Sequence, residues 1–445
     1  MNEKTITEFL SNEYVEFAMY TIENRALPSV IDGFRSSQRK IIHTSKNIWK
    51  NGNEKSLKVF QLAGKVASDA YYHHSNTALE DTIVNMTQHF KNNAPLFIED
   101  GQFGSLRSPK PGASRYIGNK LSKLFKHIYR DFDLLEYRQE EGETIEPYFF
   151  LPIVPTVLLN SSDGIAVGFS SNILNRDLKD IINACIKVLK GTNIRSVKPS
   201  LNDFNGVYKQ DKENRKKWYI EGIFNRKNTT TVEIKELPPS ITYEKYEEYL
   251  ESLLNKKEIV DYEDNCKNDI NYTIKFKRSY LSELSDEDLI KLLNLRQSTT
   301  EVYSTLDEKG HLKIFESSED IIKYFVNFRL EYYEKRKKYQ IVELENTLNK
   351  LENKYKFVNA IIEEKLLINN QKKSTIVSNI RKLSIEKINN SYDYLLKMPI
   401  YSLTKELLDQ IKKDIKDNNQ KLALLKKTKP MEIYLKDLQE LKKIT

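Results

Sequence analysis

The first third of the chain has apolar residues at helical spacing, interrupted by short polar breaks. Residues 5–23 place aromatic and aliphatic side chains on one face, which predicts a helix. In residues 77–90, Leu79, Ile83 and Met86 follow the same spacing and predict another helix. We predict further helices over residues 37–50, 55–71 and 120–132, with a break at Asn51-Gly52.

The hydrophobic pattern changes in the middle of the chain, after about residue 149. Short apolar and β-branched runs predict strands at residues 154–155, 156–159, 165–169, 218–224 and 230–237. Longer amphipathic runs predict helices at residues 178–189, 243–254 and 286–293. Together these runs predict a mixed α/β region.

The last third of the chain carries two runs of positions spaced alternately three and four residues apart. The first run is Ile341, Leu344, Leu348, Leu351, Tyr355, Val358 and Ile362, and the second is Leu408, Ile411, Ile415, Asn418, Leu422 and Leu425. Each run covers about three heptads, and a compact segment separates them, so we predict an antiparallel coiled-coil hairpin with arms of roughly 33 Å. Two core helices of a bundle would give nearly the same spacing.

Basic residues are concentrated in one part of the predicted helical region. The whole chain has a formal net charge of only +8, from 71 basic and 63 acidic residues, which does not by itself indicate nucleic acid. Between residues 33 and 68, however, the only acidic residue is Glu54. Three short helices with a basic front predict a helix-turn-helix or winged-helix unit. The alternative is an ordinary helical domain with a solvated face.

Composition disfavours several classes of protein. The two cysteines, Cys185 and Cys266, are too distant in sequence to indicate a disulfide framework or a Cys-rich zinc site. The first residues lack the basic and apolar regions of a signal peptide. The most apolar run, residues 149–159, is too short for a membrane span and contains two prolines. We therefore expect a cytoplasmic protein without a membrane partner.

The sequence has no motif for nucleotide hydrolysis and no complete set of metal ligands. Neither Gly-x-x-x-x-Gly-Lys-Ser/Thr nor Gly-x-Gly-x-x-Gly occurs. His73 and His74 are adjacent, so their side chains diverge and form a poor metal pair. Asp131-Phe132-Asp133 has the form of a metal motif, but a solvated helix face explains it better. We predict no metal site within this chain.

Tyr116 has a sequence context that suits covalent chemistry on a phosphodiester. It follows a loop rich in Gly, Ser and Pro, residues 101–112, and Arg115 precedes it directly. A phenol with a pKa of about 10 is a weak nucleophile and needs cationic help and a fixed geometry. A guanidinium can pair with phosphate oxygens, and a phosphotyrosine bond is reversible because phenolate leaves readily. The chain has 26 tyrosines, so the Arg-Tyr pair alone is weak evidence.

Motifs occur in a characteristic order along nearly the whole chain. The first are Arg25-Ala26-Leu27-Pro28, Asp32-Gly33, Gln38-Arg39-Lys40, Gln61-Leu62-Ala63-Gly64, Tyr72-His73-His74 and Asp81-Thr82-Ile83-Val84. The later ones are Gly101-Gln102-Phe103-Gly104-Ser105, Ala113-Ser114-Arg115-Tyr116, Ser162-Asp163-Gly164-Ile165-Ala166-Val167-Gly168, Glu236-Leu237-Pro238 and Tyr392-Asp393-Tyr394-Leu395-Leu396. Together they resemble the breakage-reunion domain of type IIA DNA topoisomerases. They are closer to the eukaryotic and T-even bacteriophage branches than to bacterial gyrase, and a chain ending near Thr445 suits the separate medium subunit of the phage branch.

The resemblance implies roles for particular residues. Tyr116 would attack a backbone phosphate and hold the 5′ end of the cut, and Arg115 would stabilise the transition state. Ile165 would wedge between base pairs and bend the DNA, although without the resemblance a buried strand residue is the better interpretation. The remaining DNA contacts would be Arg25, His73, His74, Arg39, Lys40, Lys46 and Lys65. If six phosphates are neutralised, log affinity should fall with log salt at a slope of about −5.

The resemblance also implies an α+β multidomain architecture that is mainly helical. We expect an N-terminal helical arm (residues 1–30), a winged-helix DNA-binding domain with the catalytic tyrosine (31–150), an α/β tower domain (151–318), coiled-coil arms (319–365 and 403–445) and a small helical exit-gate dimerisation domain (366–402). Double-stranded DNA would be the substrate, and the exit gate would form a homodimer. ATP hydrolysis and most of the Mg²⁺ binding would belong to a large partner subunit. If phage-encoded, the protein would act in the host cytoplasm.

Some positions depart from the family pattern. Ser75-Asn76 stand where the family usually has Gly followed by an acidic residue, and Phe34-Arg35-Ser36 stand where it usually has Leu-Lys-Pro. The loop before Ala113 has fewer Gly and Asp residues than usual. Two rival hypotheses are a non-catalytic DNA-binding protein that uses the same basic unit and a purely structural coiled-coil protein.

Overall fold

The structure, a computed structural model, describes residues 5–6, 10–50, 55–160, 162–267, 269–388, 390–399 and 403–445. It is an α+β fold with about 48% helix. The chain divides into two compact units, Met1–Arg329 with Asp437–Thr445, and Leu330–Lys436. The predicted break at Asn51-Gly52 lies outside the described residues. Within the described ranges, no helix combines the length and apolar character that a bilayer span requires.

The first unit begins with helices and short strands. The helices and helical turns are Leu10–Tyr14, α1 (Val15–Thr21), Ile22–Ala26, α2 (Ser36–Ile48), α3 (Val59–Asp69), α4 (Asn76–Thr87), His89–Lys91, α5 (Lys123–Ile128) and Phe132–Leu134. The strands are β1 (Leu57–Lys58), β2 (Phe97–Asp100), β3 (Gly118–Leu121), β4 (Tyr129–Arg130), β5 (Tyr137–Glu140), β6 (Glu143–Pro147) and β7 (Leu151–Pro152). Helices α2, α3 and α4 pack on one another, and a three-stranded antiparallel sheet of order β1-β3-β2 lies beside them.

Asp32 organises the core of this helical region. Its fully buried carboxylate accepts bonds from Arg39, at 2.8 and 3.1 Å, and from the backbone N–H of Phe150 at 2.9 Å. Gly33 beside it has a φ of +72°, and a Cβ there would lie 2.8 Å from the Val157 nitrogen. The Asp32-Gly33 motif is therefore a structural element, because it satisfies buried polar groups and permits a close backbone approach.

The second part of the first unit is a mixed α/β region. Its strands are β8 (Ser162–Ile165), β9 (Ser170–Ile173), β10 (Val207–Gln210), β11 (Lys217–Glu221), β12 (Ile223–Arg226), β13 (Thr231–Glu236), β14 (Asp261–Asp264), β15 (Tyr272–Lys275), β16 (Arg296–Thr300), β17 (Tyr303–Leu306) and β18 (Leu312–Phe315). They form antiparallel sheets of order β10-β11-β16 and β12-β13-β15-β14, with hairpins β8-β9 and β17-β18. The helices are Thr156–Leu158, α6 (Leu178–Leu189), α7 (Tyr243–Asn255), α8 (Arg278–Glu283) and α9 (Asp286–Leu292).

The remaining helices are α10 (Ser318–Ile362), α11 (Lys373–Lys382), α12 (Asp393–Leu396), α13 (Lys405–Lys427) and α14 (Pro430–Ile444). Within the second unit, the residues of both heptad runs are buried or half-buried. Leu408 packs in one core cluster with Val358, and Lys426 pairs with Glu345 at 2.7 Å. The start of α13 thus meets the end of α10, so the two helices run antiparallel along the patterned segment.

Several local predictions are confirmed and others are wrong. Helix α6 has the predicted bounds, and α7, α9 and β13 lie within one residue of theirs at either end. Residues 120–132 do not form one helix, because Gly118–Leu121 pairs as a strand and Asp131 adopts a left-handed φ of 60°. Residues 55–58 likewise include strand β1 ahead of helix α3.

The buried and hairpin segments of the α/β region also correct the prediction. Residues 156–159 contain a buried 3₁₀ turn, Thr156–Leu158, instead of a strand, since a short apolar run does not distinguish the two. Residues 165–169 form the tip of the β8–β9 hairpin, where Gly168 has a φ of +76°. Asp131 does not lie on a solvated face, because it forms a buried ion pair with Arg329.

Candidate active site and nucleic-acid interface

Tyr116 lies on a tight turn whose backbone is fixed while its phenol is free. The Tyr116 N–H donates to the Ala113 carbonyl at 2.8 Å, which closes the turn immediately before β3. The Phe60 N–H donates to the Ser114 carbonyl at 3.3 Å, and Lys58 Nζ donates to the Tyr116 carbonyl at 2.7 Å. The Tyr116 side chain is nevertheless 72% exposed. The site therefore presents a phenol on a rigid support, with the exposed Arg115 beside it.

The loop that precedes this turn is held in one conformation. Gln88 donates from Nε2 to the carbonyls of Phe103, at 2.7 Å, and Pro109, at 3.2 Å. Gly104 has a φ of +89°, and a Cβ there would lie 2.8 Å from the Pro109 carbonyl carbon. The glycine is required for the close approach, and the buried Gln88 amide joins the two sides of the loop.

Ile165 lies at the exposed tip of the β8–β9 hairpin. Its side chain is 89% exposed, which is unusual for a large apolar residue. The neighbouring Ala166 packs against the cluster of Ile22, Leu27 and Leu306, so the hairpin contacts the rest of the protein directly beside Ile165. An isoleucine held in solvent by a rigid hairpin has the geometry of an apolar wedge.

The opposite side of this hairpin rests on the N-terminal region. Arg35 donates from its guanidinium to the Asp163 carbonyl. A Cβ on Gly164 would lie only 2.1 Å from the Ala26 carbonyl oxygen, so this position requires glycine. The stem of the hairpin is therefore packed tightly against backbone, and the tip alone projects.

A buried charged network fixes the end of strand β9. The carboxylate of Glu301 is fully buried and accepts from both terminal nitrogens of Arg176, at 2.7 and 2.8 Å. It also accepts from the Leu174 N–H at 3.0 Å, from Trp218 Nε1 at 2.9 Å and from the Tyr303 hydroxyl at 2.6 Å. Because Leu174 directly follows β9, this carboxylate anchors the base of the hairpin that carries the tip.

A large cleft of about 1250 Å³ brings together several of the residues predicted to contact DNA. Arg25, Lys40, His73 and His74 line it. Tyr116, Arg115, Ile165, Lys46 and Lys65 are not among its lining residues, although the Ser162 and Asp163 of the hairpin stem are. The predicted site residues therefore occupy separate places on the first unit, of which the cleft is one.

Within the cleft, His74 forms a cluster with Arg25 and Tyr20. Arg25 Nη2 lies 3.2 Å from His74 Nδ1 and 3.3 Å from Nε2, and the Tyr20 hydroxyl lies 3.4 Å from Nε2. Partial burial, followed by the positive charges of Arg25 and His73, lowers the pKa of His74 below its ordinary value. The shift favours the neutral ring, in which an unprotonated ring nitrogen can accept a hydrogen bond from the Arg25 guanidinium.

Comparison with known proteins assigns the family. The family model that describes the A subunit of DNA gyrase/topoisomerase IV matches residues 25–440. This chain belongs to the DNA gyrase/topoisomerase IV family. It is 30% identical to the DNA topoisomerase medium subunit of Enterobacteria phage T4, over 99% of this chain and 100% of the phage protein.

Eukaryotic relatives of this gyrase/topoisomerase IV family member are much longer. DNA topoisomerase 2 of Plasmodium falciparum is 33% identical over 97% of this chain, which spans 34% of that enzyme. The crystal structure of the Plasmodium falciparum topoisomerase II DNA-binding, cleavage and re-ligation domain has 32% identity and a TM-score of 0.87, and the match covers 98% of this chain and 64% of that one. The chain thus corresponds to about a third of the eukaryotic enzyme.

Arg39 does not fit the phosphate-binding role predicted for it. Its guanidinium is buried and is paired with Asp32 at both Nε and Nη2. If the Arg39 side chain turned outward to bind a phosphate, it would leave the buried Asp32 carboxylate without its counter-charge. In this member of the gyrase/topoisomerase IV family, Arg39 is a structural residue of the helical region.

The other predicted lysines differ in how accessible they are. Lys65 is exposed, whereas Lys46 lies 4.3 Å from the centre of the Phe132 ring, where burial lowers its pKa. Lys40 pairs with Glu146 at 3.0 Å on the cleft wall, and His73 pairs with Glu140 at 2.8 Å. Lys65 is therefore accessible, whereas Lys46, Lys40 and His73 already contact other side chains.

Sequence reasoning missed three groups that the geometry brings to the site. Lys58 contacts the Tyr116 backbone, Arg35 supports the hairpin stem, and Glu301 anchors its base. Lys58 acquires its position through the pairing of β1 with β3, which joins residues about 60 positions apart. Arg35 was visible only as a departure from the family pattern, and Glu301 carried no sequence signal.

Proposed function

We propose that this chain is the breakage-reunion subunit of an ATP-dependent type II DNA topoisomerase. It would cut double-stranded DNA transiently through 5′-phosphotyrosine links, allow strand passage and rejoin the ends. The observation that carries the proposal is the exposed Tyr116 phenol on its rigid turn beside Arg115, in a chain that matches the phage T4 medium subunit over that protein's full length.

In the proposed reaction, the Tyr116 oxygen attacks a backbone phosphorus and the bond from phosphorus to the 3′ oxygen breaks. The phenol loses its proton, the 3′ oxygen leaves as a hydroxyl, and the 5′ end stays linked to the enzyme. The reverse attack by the 3′ hydroxyl restores the DNA. Arg115 would pair with phosphate oxygens as charge develops, and Lys58 would hold the Tyr116 backbone and add positive charge nearby.

The DNA would be bent as well as bound. We assign Ile165 as the wedge, supported by its exposed position on a hairpin fastened at Glu301 and Arg35. Arg25, His73, His74 and Lys40 would contact the DNA from the cleft, and Lys65 would bind phosphate. Lys46 is a weaker candidate, and Arg39 is omitted.

ATP and Mg²⁺ are assigned to a large partner subunit. Among the residues that the structure describes, no group of three or more His, Cys, Asp or Glu side chains could hold a metal ion. The partner would bring the metal to Tyr116 and would hydrolyse ATP. The proposal that the enzyme is phage-encoded and acts in a host cytoplasm rests on the likeness to the phage T4 protein.

The domain boundaries predicted from the sequence remain our proposal for the architecture. Helices α2, α3 and α4 with the β1-β3-β2 sheet suit a winged-helix domain over residues 31–150, preceded by an N-terminal arm, and the sheets of residues 151–318 suit a tower domain. The antiparallel contacts between α10 and α13 support coiled-coil arms. Residues 366–402 would form the exit gate through which two copies dimerise.

Trapping of the covalent intermediate tests the proposal. The chain is mixed with its partner subunits, supercoiled DNA, Mg²⁺ and ATP, denatured rapidly, and assayed for DNA bound covalently to protein. The wild-type chain should give adducts, and Tyr116→Phe should give none while it still binds DNA. Tyr148→Phe, at another exposed tyrosine, is the matched control and should give normal adducts.

The outcomes separate the rival hypotheses. A non-catalytic DNA-binding protein would retain DNA without any adduct in the wild type. A purely structural protein would show neither retention nor adduct. A normal adduct yield from Tyr116→Phe would refute the assignment of the nucleophile.

A further inference from the structure

The loop of residues 101–112, which leads to Tyr116, is anchored at two points by buried side chains. Phe103 and Arg107 are the loop residues with buried side chains, at 1% and 7% exposure. The Phe103 carbonyl is bonded to Gln88 of the helical region. Arg107 reaches in the other direction, into the α/β region, and the proposed reaction has not used it.

All the acceptors of the Arg107 side chain come from one short segment that begins at the last residue of β13. Nη1 donates to the carbonyls of Pro238, at 2.7 Å, and Ile241, at 2.9 Å. Nη2 donates to Glu236 Oε1 at 2.6 Å and to the Leu237 carbonyl. Both terminal nitrogens are thereby satisfied within residues 236–241, which include the Glu236-Leu237-Pro238 motif.

A backbone hydrogen bond also joins the loop to the α/β region, and here the α/β region supplies the donor. The N–H of Tyr243 donates to the Arg107 carbonyl at 3.2 Å. Glu236 is itself held in place, since its Oε2 accepts from the Asn205 N–H at 3.0 Å. The segment thus offers four acceptors to the two terminal nitrogens of Arg107, which suits the several N–H donors of a guanidinium better than the compact ammonium of a lysine.

We propose that Arg107 is a positioning residue for DNA cleavage, which fastens the loop carrying Tyr116 to the Glu236–Ile241 segment of the α/β region. This inference rests on the proposed function. The Tyr116 phenol then keeps a fixed position relative to the region that carries the Ile165 hairpin. The phosphate that Tyr116 attacks and the base step that Ile165 bends are thereby held at a constant separation. The Glu236-Leu237-Pro238 motif acquires a role as the acceptor segment for this arginine.

A positioning role predicts that loss of Arg107 separates cleavage from DNA binding. Arg107→Ala should lower covalent adduct per bound DNA at least tenfold and change DNA affinity less than threefold. Arg107→Lys keeps the charge and can still pair with Glu236, but its ammonium cannot reach all the carbonyls. Covalent adduct per bound DNA should therefore fall about threefold in this variant. These amounts follow from the sensitivity of attack geometry to small displacements.

Arg226→Ala is the matched control. Arg226 also combines a carboxylate, Asp286 at 2.9 Å, with the carbonyls of Leu281 and Leu284, and it does so within the α/β region without touching the loop. Its variant should keep adduct per bound DNA within twofold of wild type. An equal loss in Arg226→Ala would overturn the proposal, because general loosening of the α/β region would then explain both.

Amide hydrogen exchange of the free chain supplies a readout that does not depend on activity. Arg107→Ala and Arg107→Lys should raise exchange in residues 101–116 and 236–243, whereas Arg226→Ala should raise it around residues 281–286. Unchanged exchange in the loop, or unchanged adduct per bound DNA in both Arg107 variants, would overturn the proposal. A wild-type chain that gives no adduct at all would instead overturn the proposed function, and this inference with it.

Discussion

The Glu301 network allows a prediction about the stability of the hairpin support. In Glu301→Gln, one carboxylate oxygen becomes an amide NH₂ that must face donors from Arg176, Trp218 or Tyr303. The Arg176 charge, with its side chain 1% exposed, would also lose its counter-charge. Breaking a buried ion pair from one side costs about 3–5 kcal/mol, so we expect the free energy of unfolding to fall by about that amount.

The protein contains a natural reporter for this experiment. It has two tryptophans, and Trp218, which is 2% exposed, donates directly to Glu301. In a Trp49→Phe background, urea unfolding followed by fluorescence therefore monitors the network itself. The double variant Arg176→Met/Glu301→Gln removes the unpaired charge and should recover at least half of the lost stability. A Glu301→Gln variant within about 1 kcal/mol of its parent, or no recovery in the double variant, would refute this reasoning.

Three further predictions concern the DNA interface and the helical core. Ile165→Ala should change the free energy of unfolding by no more than about 0.5 kcal/mol, because the side chain is 89% exposed. The same variant should reduce DNA bending about tenfold in a fluorescence energy-transfer assay, and unchanged bending would exclude the wedge. Lys65→Ala should make the slope of log DNA affinity against log salt concentration shallower by about one unit, whereas Lys46→Ala should leave that slope unchanged. Equal slopes in the two variants would contradict the assignment. Burial, followed by the positive charges of Lys46 and Lys40, lowers the pKa of His43 to about 4. The contribution of the neutral ring to the free energy of unfolding should therefore be fully present above about pH 6.5 and be lost as the pH falls towards 4. His43→Gln should flatten this pH dependence in urea unfolding, and an unaltered profile would be inconsistent with a buried neutral ring.

Local patterns in the sequence were sufficient for the elements whose contacts are local. Helix α6 has an aspartate cap, Asp177, and a strong apolar stripe, and its bounds were predicted correctly. The heptad runs likewise correspond to the buried and half-buried positions of α10 and α13. In both cases the pattern that predicts the helix is carried by residues that are neighbours along that helix.

Elements that depend on distant pairing were predicted poorly. Residues 118–121 have neighbours of helical character, yet they form the central strand β3, because β1 and β2 supply partners on both sides. The same limit explains Arg39, which reads as one basic residue among many until the fold brings Asp32 against it. Ile165 is a similar case, since its sequence resembles a buried strand and only the hairpin turn exposes it.

The candidate site divides in the same way. Tyr116 and Arg115 could be proposed from their loop context and the ordered motifs, because both signals lie within a few residues. The supporting groups could not be predicted. Lys58 and Arg107, which hold the Tyr116 loop, and Glu301, which anchors the Ile165 hairpin, act through contacts with chain segments far away in sequence. A proposal for the chemistry of the loop could therefore be made from the sequence, whereas the groups that support the loop became visible only in the structure.

The most direct test of the central claim is to locate the DNA on the protein. Covalent adducts trapped by denaturation are digested with nuclease, which leaves a short nucleotide on the linked residue, and then with trypsin. Cleavage after Arg115 and Lys120 isolates Tyr116 in the peptide of residues 116–120, apart from the other tyrosines among the 26 in the chain. We predict a nucleotide joined through its 5′ phosphate to that peptide. A nucleotide on a peptide that lacks Tyr116, with none on residues 116–120, would contradict the account.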